Sequence, residues 1–129
     1  MPLKLTVGKG EKFIVNGAVI KNDGEGTSLL FENHAHILRQ KDILTQETAA
    51  TPAARVYLAL QCAYLFPEHG DAHLEDFHGL LLDYRQAAPS ASEIADTLLQ
   101  QVEQGQLYNA LKTCGRLLEH ETKVLSHVE

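Results

Sequence analysis

Three histidines, His69, His73 and His78, stand among Glu68, Asp71, Glu75 and Asp76. On a helix, His-x-x-x-His puts two imidazoles on one face, a spacing many zinc sites use. His-Glu-x-x-His is absent, however, and acids at a helix start also suit the macrodipole, so the same residues read as a solvated, well-capped helix N-terminus. His34 and His36 fall on one face of a predicted strand, where they could meet a base or phosphate or simply line an exposed edge. Ser28, Ser90, Ser92 and Ser126 lack the Gly-x-Ser-x-Gly elbow of a serine nucleophile. Gly8-x-Gly10 and Gly24-x-Gly26 are turn glycines with no following Lys-Ser/Thr helix to hold phosphate. Cys62 and Cys114 form neither a Cys-x-x-Cys pair nor a metal-spaced set, and read as reduced thiols packed as small hydrophobes. No constellation carries catalysis, so the expectation is a non-enzymatic protein without metal or cofactor.

Charge directs attention to binding instead. The net charge of −6 argues against a generic nucleic-acid coat and gives no reason to expect DNA, because non-specific affinity comes from neutralising phosphates. The distribution is uneven. Residues 1–44 hold Lys4, Lys9, Lys12, Lys21, Arg39 and Lys41 against Glu11, Asp23, Glu25, Glu32 and Asp42, giving +1, while residues 45–129 carry −7. An anionic ligand would meet less repulsion at the N-terminal part. Stacking platforms need several exposed aromatics, but only Phe13 and Phe31 lie there, and both look like core residues. Tyr57 and Tyr64, i and i+7 on a predicted helix, read more readily as core or interface than as a base platform. No window approaches the roughly 20 apolar residues of a membrane span. Polar residues follow Met1-Pro2-Leu3 too soon for a signal-peptide core. The expected location is cytoplasmic.

The elements that would position these residues are legible from periodicity. Leu3, Leu5 and Val7 alternate with Lys4 and Thr6, as in a half-buried strand. Lys12–Val15 and Ala18–Lys21 flank Asn16-Gly17, a strong hairpin signal because both central residues of a type I′ turn need φ > 0. A turn at Asn22–Gly26 leads to Thr27–Phe31, and a bend at Glu32-Asn33-His34 to Ala35–Arg39. This predicts a small antiparallel β-meander of about five strands whose apolar face must be covered.

The rest of the chain has helical period. Thr51-Pro52 reads as N-cap and first helical residue, and Pro67 closes that helix. Asp71 can cap a second, with the stripe Leu74, Phe77, Leu81, Tyr84 and a stop at Pro89. Ser90 with Glu93 forms a capping box for a third, which Gly105 ends. A fourth runs from about Gln106 to Leu125 with Leu107, Leu111, Cys114 and Leu118 in its stripe, broken by Glu121. The fold class is therefore α+β: a β-sheet module over 1–44 and about four α-helices in a helical module over 45–129, packed as one domain.

The stretch Glu11–Leu44, with Asn16-Gly17-Ala18-Val19-Ile20 and Ile37-Leu38-Arg39-Gln40-Lys41-Asp42-Ile43-Leu44, resembles the FlbT family of flagellar post-transcriptional regulators. The likeness continues through Thr51-Pro52-Ala53-Ala54-Arg55-Val56-Tyr57 to Gln61 and Tyr64. It implies a bacterial cytoplasmic regulator associating with the 5′ untranslated region of flagellin mRNA and influencing its translation and decay, tied functionally to a FlaF-type protein. Leu3-x-Leu5-Thr6-x-x-x-Gly10-Glu11 is in turn similar to the opening of the CsrA (carbon storage regulator) family, whose first strand and a late arginine form an RNA site. Lys4 and Thr6 hold those first-strand positions and Arg39 sits near the late arginine, though Val7 and Gly8 replace the basic residues that should follow the threonine.

The candidate RNA-binding residues are thus Lys4, Thr6, Lys12, Lys21, Arg39 and Lys41, and the expected partner is the flagellin mRNA leader. Arg39 also reads as a surface partner of Asp42 or Glu32. The alternative function is a protein-interaction adaptor or chaperone-like partner in flagellin export, suggested by the acidic helical half and acting on mRNA indirectly. Its partner would be flagellin or a FlaF-type protein. Unpaired strand edges at Leu3–Val7 or Ala35–Arg39 invite a homodimer.

Overall fold

The computed structural model describes residues 3–128, with side chains as far as 125, so Met1, Pro2 and the side chain of Ser126 lie outside the described residues. The chain divides into two units, Met1–Ile43 and Leu44–Glu129, of α+β class: five antiparallel strands in two sheets, then four helices.

The first unit holds β1 (Leu3–Val7), β2 (Lys12–Val15), β3 (Ala18–Lys21), β4 (Thr27–Phe31) and β5 (Ile37–Arg39). The last strand starts at Ile37 rather than Ala35. At the hairpin, Asn16 and Gly17 take φ of 50° and 86°, the left-handed pair that the Asn-Gly signal predicts. Strand order departs from a sequential meander. β4 returns to β1, with Leu3 opposite Phe31 and Val7 opposite Thr27, while β5 joins the free side of β2. Alternation identifies which face a strand buries but not which strand lies beside it, so this pairing was not readable locally. Leu5, Val7, Phe13 and Ile37 form the core, with Val15, Phe31 and Ala35 against it. The Phe13 and Phe31 rings meet edge to face at 6.4 Å.

Two asparagines brace this unit. Asn16 accepts the His36 amide on its side chain and donates its own amide to the His36 carbonyl, both at 2.9 Å, which fixes the entry to β5 beside the hairpin. Asn22 donates its side-chain amide to the carbonyls of Val7, Gly8 and Glu25, clipping the second turn to the end of β1.

The second unit holds α1 (Pro52–Leu65), α2 (Gly70–Ala87), α3 (Ser92–Glu103) and α4 (Leu107–Val128). The donors at the start of α1 are all accounted for. Pro52 has none, Ala54 donates to the Thr51 hydroxyl at 3.2 Å, Arg55 to the Thr51 carbonyl, and Ala53 to Oε2 of Glu121 at 2.9 Å. Glu121 therefore does not break the α4 stripe but stays on its buried side, 9% exposed, below Leu111, Cys114 and Leu117.

Two expected caps differ. Asp71 lies inside the first turn of α2, because a 3₁₀ turn at Pro67–His69 feeds directly into that helix. Another at Pro89–Ala91 does the same for α3, so Ser90 and Glu93 form no capping box and the Ser90 hydroxyl turns to His120. Gly105, at φ 75°, ends α3 as anticipated, with its amide on the Val102 carbonyl and that of Gln106 on the Gln101 carbonyl. Tyr57 and Tyr64 are buried. Gln61, also buried, both accepts from and donates to the Leu44 backbone. Among the described residues no helix is long and apolar enough to cross a membrane.

Candidate functional site

The β2–β3 register sets Lys12 directly opposite Lys21. Cross-strand neighbours share a face, and like charges so placed repel each other. Immediately along the chain, Lys9, Gly10, Glu11, Gln40 and Lys41 line an open depression of about 510 Å³. Gln40 joins its two sides, since its side-chain oxygen accepts the Lys12 amide at 2.7 Å. A cationic surface thus runs over the β1–β2 turn, the start of β2, the end of β3 and the 3₁₀ turn Gln40–Asp42 that follows β5.

Glu11 is the acid that lines the depression. Its Oε1 accepts the Gly8 amide at 2.9 Å, and its Oε2 lies 3.5 Å from Nη2 of Arg39. The Gly8 hydrogen bond first, then the charges of Arg39 and Lys41, hold its carboxyl below the ordinary value of 4.5. Arg39, opposite Phe13 in the β2–β5 ladder, also donates Nη2 to the Thr6 carbonyl at 3.1 Å. One guanidinium therefore ties β5 to β1, which belong to different sheets, and the carboxylate it meets is Glu11 rather than the anticipated Asp42 or Glu32.

The structure brings some of the candidate residues together and not others. Lys12 pairs with Lys21, and Arg39 and Lys41 flank Glu11. Thr6 lends its carbonyl to Arg39, while its hydroxyl lies 3.5 Å from that of Ser28. Lys4 stands opposite Leu30 on the β1–β4 ladder. Lys9 and Gln40 were missing from the set. The available signal for Lys9 was its place between Gly8 and Gly10, where a tight turn projects the side chain outward.

His34 and His36 precede β5 instead of sharing its face, with their rings edge to face at 5.3 Å. In the helical unit, the His73 ring lies 6.5 Å from Phe66 and the His78 ring 5.3 Å from Phe77. Among the described residues no group of three or more His, Cys, Asp or Glu side chains is arranged to hold a metal ion. A hydroxyl–imidazole–hydroxyl chain was not foreseen. His120 lies 2.9 Å from the Tyr84 hydroxyl through Nδ1 and 2.8 Å from the Ser90 hydroxyl through Nε2. Burial, and then the Glu121 charge, push the Tyr84 phenol up to about 12, so it remains protonated. The chain of bonds clamps α2, the turn before α3, and α4.

The flagellar protein FlbT family matches residues 3–125. The chain is 34% identical over 130 residues to the probable flagellum biosynthesis repressor protein FlbT of Caulobacter sp., covering 99% of each chain. Identity to the protein of that name in Rhodopseudomonas palustris is 36% over 129 residues, covering 98% of this chain and 99% of the relative. For the probable flagellum biosynthesis repressor protein FlbT 1 of Bradyrhizobium diazoefficiens it is 38% over 130 residues, covering 100% of this chain and 88% of the relative. No solved structure matches the chain. The match of nearly the whole sequence, both the strand-rich unit with its lysine surface and the four helices, shows that this chain belongs to the FlbT family.

Proposed function

We propose that this protein is a non-enzymatic, post-transcriptional regulator of flagellin synthesis that associates with the 5′ untranslated region of flagellin mRNA and affects its translation and decay. The relatives' names as repressors of flagellum biosynthesis support a regulatory role. The observation that carries the RNA reading is the cationic surface of the strand unit, with Lys12 and Lys21 face to face and Lys9 and Lys41 beside them. Opposed ammonium groups on one face are relieved when a phosphate lies between them. The contact set is Lys12, Lys21 and Lys41, with Lys9 added, and Lys4, Thr6 and Arg39 extending it along β1 and β5.

Fluorescence anisotropy with a labelled flagellin leader tests this. Neutralising four phosphates of a single strand gives a log–log salt slope of roughly −3, or about a fifty-fold loss of affinity from 50 to 200 mM salt. Charge reversal of Lys12 and Lys21 should weaken binding at least tenfold and flatten that slope. Leader binding that ignores both salt and the reversal would refute the reading. The acidic helical unit favours a second one, in which the protein acts as an adaptor or chaperone-like partner for flagellin or a FlaF-type protein and reaches the mRNA indirectly.

A further inference from the structure

A second surface lies wholly within the helical unit. Arg55, Leu58, Ala59 and Cys62 follow one another at helical spacing on α1, and His73, Asp76, Leu80, Asp83 and Ala87 do so on α2. These two rows line clefts of about 660 and 410 Å³ that share Arg55, Leu80 and Asp83, so the clefts join into one trough. Val124 and Leu125 of α4 close one end, with Leu125 55% exposed. From His73 to Ala87 the trough runs about 21 Å at a rise of 1.5 Å per residue, the length of four helical turns. The alternating three-and-four spacing on both walls is the seam a third helix packs against.

Gly79 supplies an independent observation. It sits in the interior of α2 and lines the trough, where alanine would be about 1 kcal/mol more favourable for the helix. A Cβ added there would meet nothing within 4 Å, so packing within the chain places no demand on its size. Its missing side chain, in a cleft that the small Ala59 and Cys62 also line, lets another backbone approach closely. The charges on the walls say what kind. Glu75, Asp76, Asp83 and Glu121 line the trough, whose lining holds one arginine, Arg55, one histidine, His73, and no lysine.

We infer that the α1–α2 trough is a docking groove for an amphipathic helix of a partner protein, with an apolar stripe at i, i+4 and i+7 flanked by lysine or arginine. This goes beyond the RNA reading and uses none of its residues. A second copy of this chain is a poor occupant, because the apolar stripes of the helices it could offer, such as Leu98 and Val102 of α3 and Leu111, Cys114 and Leu117 of α4, are already buried within the helical unit.

The probe is a fluorescein-labelled sixteen-residue peptide with leucines in that stripe and lysines elsewhere, set against a twin with glutamates for lysines. Cys62 lines the groove, whereas Cys114 is buried and its thiol pushed up to about 12, so Ellman's reagent reports on Cys62. The lysine peptide should bind the intact protein and slow Cys62 modification at least fivefold at saturation. The glutamate twin should do neither. Gly79→Leu should weaken peptide binding tenfold or more, with unchanged far-UV circular dichroism. Should that variant misfold, charge reversal of the exposed Asp76 and Asp83 should have the same effect. Peptide binding without Cys62 protection, or equal binding by the folded variants, would overturn the proposal. So would light scattering that shows a dimer dissociated by Gly79→Leu, which would assign the groove to a second copy, or leader RNA that protects Cys62 where the peptide does not.

Discussion

Glu121→Ala should destabilise the helical unit far more than removing a surface acid would. The carboxylate is 9% exposed and accepts the Ala53 amide at 2.9 Å, and Ala53 itself is fully buried. Truncation removes a hydrogen bond to a charged acceptor, worth about 1.5–3 kcal/mol, and leaves a buried N–H without a partner. It also removes a negative charge from the positive end of the α1 dipole, an effect of about 0.3–1 kcal/mol that overlaps the first. Relief from keeping a carboxylate out of water works in the other direction. The net expectation is a loss of about 1–3 kcal/mol, or a fall in Tm of about 4 °C per kcal/mol. Glu121→Gln keeps an acceptor and loses only the charge, so its cost should be about 1 kcal/mol or less. Urea titrations followed at 222 nm give the ordering, and hydrogen exchange at the Ala53 amide locates it. Equal midpoints for wild type and Glu121→Ala, with Ala53 protection unchanged, would refute this account of the α1 N-terminus. One corollary needs no unfolding. Because the Glu121 charge helps raise the Tyr84 phenol, Glu121→Gln should let that tyrosine ionise at lower pH in an ultraviolet titration.

Three other outcomes follow from the same geometry. Gly17→Val forces a β-branched residue to a φ of 86° and should lower the stability of the strand unit by about 1–3 kcal/mol, so coincident melts would contradict the turn. Arg39→Ala should weaken leader binding and, because the guanidinium joins Thr6 to Glu11, also speed hydrogen exchange in β1 and β5; unchanged exchange would remove its tying role. The third concerns pH. Cys114 and Tyr84 are held neutral up to about 12, whereas their ordinary values are 9.0 and 10.0. Between these limits the unfolded chain has released protons that the folded chain retains, so stability should fall as pH rises above about 9. Glu11 acts at the other end. Its contribution is complete above 4.5 and is lost as pH falls through its lower folded value. A urea midpoint that stays flat from about pH 8.5 to 11 would contradict the alkaline part.

What the sequence revealed tracks how local each cause is. Asn16-Gly17, the alternation of Leu3, Leu5 and Val7, and Thr51-Pro52 act over a few residues, and each lies where its signal put it. Strand order depends on pairing across distant segments, which is why β4 beside β1 could not be read. The Asp71 and Ser90 caps failed because Pro67 and Pro89 each begin a 3₁₀ turn that enters the next helix without a separate cap. Glu121 had a signal that was misread, since an acid on an apolar stripe marks either a break or a buried acceptor, and only the approach of Ala53 decides which. In the strand unit the basic residues were visible as composition. The opposition of Lys12 and Lys21, and the Glu11 partner of Arg39, exist only once register and turn geometry are set.

The strand order also imposes a timetable on synthesis. β1 leaves the ribosome first, yet its partner β4 emerges only after the whole β2–β3 hairpin, while Val15 and Ala18 can pair across their two-residue turn almost as soon as they appear. Short loops close fast, and distant strands must wait for the intervening chain. The hairpin is thus the seed, and Leu5 and Val7 stay in water until Leu29 and Thr27 arrive to pair with them. Arg39 comes later still, and with it the link from β5 back to Thr6. The nascent strand unit is therefore sticky along β1 until Thr27–Phe31 has left the ribosome, and its core is complete only when Ile37 follows.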